Sequence, residues 1–142
     1  MRNMSFSLTT EAMRTGKKTV TRRMGWNTLK AGDIVQAVEK CQGLRKGEKL
    51  KPIRQILIKA VRSERLDAIT DKEVRKEGFP HMSKEEFIEM FCKSHKGCTP
   101  STMITRIEFY HRSQNHRIDD EDEGEDYWKG DVDDIGSDET NL

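Results

Sequence analysis

Eight residues near the start of the chain, Gly16-Lys17-Lys18-Thr19-Val20-Thr21-Arg22-Arg23, join a helix-stopping glycine to two hydroxyls and four cations, with no acid among them. Clustered cations hold phosphate, and a lysine set beside a hydroxyl can activate it as a nucleophile. A basic strand on a solvated face has the same composition, so the octet alone leaves all three readings open. Lys17, Arg22 and Arg23 are candidates for nucleic-acid contact, the arginines more so than for catalysis, because a guanidinium cannot readily act as a base. Trp26 offers a face on which a base could stack, or else packs in the core or at the rim beside the Gly32-Asp33 turn. His81 and His111 titrate near neutrality but have no local partner, and read as surface histidines.

Cys92-x2-His95-x2-Cys98 holds three zinc-type donors, with Cys41 as a distant fourth, yet the spacing matches no common paired-ligand knuckle. Buried thiols and a loop histidine are the expectation, and no metal or cofactor is implied. Three cysteines are an odd number, which fits reduced thiols better than a disulfide framework. Without a signal-peptide run at Met1 to Leu8 or an apolar stretch of membrane length, the expected location is cytoplasmic, with no membrane partner.

The elements that must position these residues follow from local punctuation. Thr9, Thr10 and Glu11 before Gly16 predict a short helix over 10–15, followed by a strand from Lys18 to Arg23. The Leu29-Lys30-Ala31-Gly32-Asp33 turn leads into a strand from Ile34 to Glu39, and Ile53 to Arg65 is the longest strand candidate. Thr70 with Glu73 predicts a capping box opening a helix that ends near Gly78. Ser83 with Glu86 predicts a second box, with Met82 and Phe87 as its hydrophobic staple and Phe87, Met90 and Phe91 on one packing face. Thr102 to His111 closes the series as a strand with one mostly apolar face.

Charge divides the chain near Ile118. Residues 119–142 carry twelve acids and one base, Lys129, for −11; the first 118 residues hold 25 Lys+Arg against 13 Asp+Glu, for +12. A body this basic is expected to bind polyanions with a steep salt dependence, RNA foremost. The tail has too few apolar side chains to offset its ordering entropy and is expected to be disordered. It either solubilises the chain, meets a basic partner, or competes as a tethered polyanion with RNA for the basic face.

The order of helix, Gly16-x-Lys18-x-x-Thr21-x-Arg23, Gly32-Asp33 strand, long strand, Thr70-Asp71-Lys72-Glu73 helix with Glu77-Gly78-Phe79, and terminal Arg106-Ile107-Glu108-Phe109 resembles the ASCH domain family over about residues 5–111. Its prophage-encoded members look most similar, including the Arg23-Met24-Gly25-Trp26 run and the Phe91-Cys92 helix end. The resemblance implies an α+β fold, a small PUA-like β-barrel with flanking helices occupying 1–118. It also implies a role in RNA metabolism and, in one bacterial branch, hydrolysis of N4-acetylcytidine. Carried onto this chain, that branch's catalytic lysine, threonine and glutamate match Lys18, Thr21 and Glu77. Thr21 would then be the nucleophile, Lys18 its base or an oxyanion stabiliser, and Glu77 an orienting group, water activator or proton shuttle. Arg23 to Trp26 and the basic insertion Gly43 to Lys51 depart from the compact hydrolases and favour a larger nucleic-acid ligand. Two functional classes follow: an amidohydrolase acting on a modified nucleoside, and a noncatalytic RNA-binding module whose acidic tail modulates binding.

Overall fold

Residues 1–40 and 46–112 are described by the structure, a computed structural model. The tail, the proposed boundary at Ile118 and Cys41 lie outside them. The elements run β1 (Arg2–Ser5), α1 (Thr10–Arg14), β2 (Val20–Arg23), β3 (Ile34–Val38), β4 (Pro52–Arg65), a 3-10 turn (Leu66–Ala68), α2 (Asp71–Lys76), α3 (Lys84–Ser94) and β5 (Met103–His111). The strands form one mixed sheet in the order β1-β3-β4-β5-β2, curved into a half-barrel of the PUA-like α+β type. β1 lies parallel to β3, and the other pairs are antiparallel.

β4 is long enough to serve two neighbours, pairing Ile34 to Leu57 on one side and Val61 to Ile107 on the other. Its register against β5 slips between Ile58 and Ala60, a bulge that adds the twist a curling sheet needs. The inner face collects Met4, Phe6, Met13, Val35, Ile56, Ile58, Ile107 and Phe109. The other face packs Leu66, Ile69, Val74, Phe87, Phe91 and Ile104 beneath α2 and α3. β5 therefore feeds both cores, Ile107 and Phe109 inward and Ile104 outward, rather than one apolar face.

Ser83 and Glu86 form the full reciprocal box, and Met82 joins Phe87 in the outer cluster. The Thr70 box is only half made. Thr70 Oγ1 accepts from the Glu73 amide at 3.2 Å, but the Glu73 carboxylate serves arginines instead. β2 starts at Val20, not Lys18, because Gly16 turns at φ +80 and the Lys17 and Lys18 amides both return to Ala12 O. β1 had no expectation in the sequence: Arg-Asn-Met-Ser has little strand signature, and pairing with β3 supplies what propensity lacks. Among the described residues no helix is long and apolar enough to cross a membrane.

Candidate active site

Lys18 and Glu77, 59 residues apart, meet because the C-terminus of α2 has carbonyls to satisfy. Glu77 is the C-cap, and Gly78 takes φ +102, so that the Gly78 and Phe79 amides return to Arg75 O at 3.0 Å and Val74 O at 3.2 Å in a Schellman closure. A Cβ on Gly78 would lie 3.2 Å from Ala12 Cβ and 3.3 Å from Thr9 Cγ2, so glycine is what lets the end of α2 approach α1. The octet takes the carbonyls that remain. Thr19 N–H donates to Lys76 O at 2.9 Å, and Lys18 Nζ donates to Glu77 O at 2.6 Å and to Glu77 Oε1 at 2.9 Å.

The second carboxylate oxygen of Glu77 accepts from Arg22 Nη1 at 3.1 Å, while Arg22 Nη2 reaches Glu64 at 2.8 Å and Glu73 at 2.9 Å. Register explains Glu73. β2 and β5 set Arg22 directly opposite Arg106, a like-charge pair that opposes sheet pairing unless bridged. Glu73 Oε1 takes a hydrogen bond of 2.9 Å from each arginine. Glu73 and Glu77 stand four apart on α2, so one helix face presents both carboxylates to the sheet.

Thr21 and Arg23 point to the opposite side of β2 from Arg22. Arg23 Nε donates to Thr21 Oγ1 at 3.1 Å, and Arg23 Nη2 crosses to Ser5 O of β1 at 2.6 Å. β1 and β2 are the two ends of the sheet order, so Arg23 spans the seam of the half-barrel. The Phe6 ring lies there, 4.7 Å from the Arg23 guanidinium and 5.9 Å from Lys18 Nζ. Lys18 precedes β2 in an irregular stretch, so strand alternation does not dictate the side its side chain takes.

Lys18, Thr21 and Glu77 are each 0% exposed. Burial lowers Lys18 from 10.5 to about 8; Glu77 opposes the shift, and Arg23 and Arg22 add to it. Glu73 is lowered as well, for the opposite reason. Its partial burial favours the neutral acid, but hydrogen bonds from Arg106 and Arg22 outweigh that and hold it at about 2. The cluster thus pairs an easily deprotonated lysine with fixed carboxylates.

Several expectations change on this geometry. Arg22, 1% exposed and bound to three carboxylates, is no surface phosphate contact; it orients Glu77. Arg23 is buried at the seam and holds Thr21 and Ser5. Trp26 is a packed side chain rather than an open stacking platform, 4% exposed with the Arg2 guanidinium 4.0 Å over its ring. Lys17 alone of the four nucleic-acid candidates is exposed. His111 is no ordinary surface histidine: half-buried, it sets Nε2 2.6 Å from Lys18 O, and burial lowers its pKa. His95 turns away from Cys92 and Cys98 to stack on Phe91 with ring centroids 4.2 Å apart, its Nδ1 on Phe91 O, so the three do not converge on a metal. Sequence reasoning missed Glu73, Glu64 and Arg106; the four-residue spacing of Glu73 and Glu77 was the one available signal.

No family model and no curated protein matches the sequence. Solved structures do resemble the fold. An ASCH domain from Lactobacillus crispatus JV V101 superposes with a TM-score of 0.57 at 14% identity, over 78% of this chain and 79% of that one. ASCH from Zymomonas mobilis gives 0.52 at 15% identity, over 78% of this chain and 66% of that one. A protein described as hypothetical gives 0.57 at 18% identity, over 79% of this chain and all of that one. A half-barrel sheet of this strand order, flanked by the α1 and α2 ends that carry the Lys18–Glu77 pair, has the fold of the ASCH domain.

Proposed function

We propose that this chain is an RNA- or nucleoside-binding ASCH domain that hydrolyses N4-acetylcytidine-type amides, releasing cytidine and a carboxylic acid. The observation that carries the reading is the buried Lys18–Glu77 pair, its lysine held at about 8 and near the same Phe6 ring as Arg23, which bonds Thr21. At neutral pH such a lysine supplies a neutral amine often enough to act as a general base. Thr21 Oγ attacks the acyl carbon as Lys18 takes its proton, and the carbonyl becomes an oxyanion. Arg23, already bonded to Thr21 Oγ1, favours the negative charge that develops there. The C–N4 bond then breaks as Lys18, held by Glu77, returns the proton to N4. Water cleaves the acyl-threonine ester and restores the hydroxyl. Because all three groups are buried, a nucleobase reaches them only when side chains at the β1–β2 seam move.

A second reading, a noncatalytic RNA-binding module, is favoured by the hydrogen bond of Lys18 to Glu77 O, which gives the lysine an architectural task at the end of α2. In that case the −11 tail competes with RNA for the basic body. Incubation with N4-acetylcytidine and detection of cytidine separates the two. Turnover by the natural chain, lost in folded Thr21→Ala, supports the hydrolase; no turnover, together with RNA binding that strengthens on removal of residues 119–142, supports the module.

A further inference from the structure

The Cys92-x2-His95-x2-Cys98 segment folds as two successive turns. The His95 amide donates to Cys92 O at 3.3 Å, where α3 ends, and the Cys98 amide donates to His95 O at 3.1 Å. Between them Gly97 takes φ +80, a conformation that reverses the chain. The reversal brings Cys98 back over the last turn of α3, and its sulfur lies 3.0 Å from the sulfur of Cys92. His95 stacks on Phe91 instead, so of the three zinc-type donors the two sulfurs are the pair that meets, as a close dithiol. Both thiols are free and half-buried. They also line an open groove with Ile88 and Pro100, which gives a small reagent a path to sulfur.

We infer that Cys92 and Cys98 are a reversible dithiol–disulfide site, closed by exchange with a low-molecular-weight disulfide such as glutathione disulfide. The loop cysteine, Cys98, attacks one sulfur of the reagent, forming a mixed disulfide and releasing one thiol. The Cys92 sulfur then attacks Cys98, forming the intramolecular bond and releasing the second thiol. The two cysteines lose two electrons and two protons, and the two released thiols carry them. Burial pushes the Cys92 thiol up to about 11, which suits it to the second step, where proximity compensates for a scarce thiolate. The closed bond would staple the end of α3 to the Thr99–Ser101 stretch that feeds β5.

The test uses the full natural chain, exposed to glutathione disulfide at neutral pH, quenched in acid, alkylated and mapped by mass spectrometry. Expected are loss of Cys92 and Cys98 from the alkylated pool while Cys41 stays alkylated, an intact mass lower by about 2 Da, and reversal by dithiothreitol. The melting temperature should rise by several degrees, since the link restricts the unfolded chain. In Cys92→Ser, a glutathione adduct should persist on Cys98. Lasting adducts on both cysteines of the natural chain, a bond to Cys41 or between chains, or thiols still open after a control dithiol has oxidised would each overturn the inference.

Discussion

The outer cluster beneath α2 and α3 and the ionic seam at the end of α2 lie close in space and are held by opposite means. Phe87, Phe91, Val74 and Leu66 need only be apolar and fit, because burial of their surface is non-directional. Lys18, Glu77, Arg22, Glu73 and Arg106 need one another, since each buried charge is tolerable only while its partners remain. The first region supplies stability that any similar side chains could supply. The second gives up part of its stability in desolvation and gains a lysine whose proton can leave.

Breaking either region tests that contrast. Phe91→Ala should cost about 3–5 kcal/mol through a lost ring and the cavity left behind, and Glu77→Gln about as much by leaving the buried Lys18 ammonium without its carboxylate. Urea midpoints would show both losses. Only the second should be recovered, when Lys18→Met and Glu77→Leu remove the charges together. Next in size, Gly78→Ala should lose about 1–3 kcal/mol, because a left-handed residue acquires a side chain against Ala12 and Thr9. The pH dependence of unfolding sharpens the electrostatic side. Glu73, lowered to about 2, contributes stability that is complete above its ordinary 4.5 and disappears as pH falls from there toward 2. Lys18 has the same sense in a higher window: between about 8 and 10.5 the unfolded chain holds more protons, so stability rises with pH there as the cost of the buried ammonium is relieved. The smallest effect belongs to exposed Lys17, whose change to Ala should leave stability intact and reduce the salt slope of RNA binding by about one.

How much of this was readable beforehand follows from the range of each interaction. α3 announced itself within six residues, through Ser83, Glu86, Met82 and Phe87, because caps and staples are local. β4 announced itself by alternation. The resemblance brought Lys18, Thr21 and Glu77 forward, and Lys18 and Glu77 do touch. Arg22 and Arg23 were misjudged because four cations within seven residues look solvated until Glu64, Glu73 and Glu77, more than 40 residues away, arrive to cover Arg22. β1 was missed for a related reason: its pairing partner is β3, and nothing in its four residues says so.

The most direct test is the pH profile of kcat/KM for cytidine release from N4-acetylcytidine, recorded for the natural chain and for Thr21→Ala. The expected result is a rising limb with an apparent pKa near 8, the value at which Lys18 sheds its proton, and no turnover in the variant at any pH. A folded natural chain that releases no cytidine, or a Thr21→Ala variant that keeps the full rate and the same limb, would contradict it.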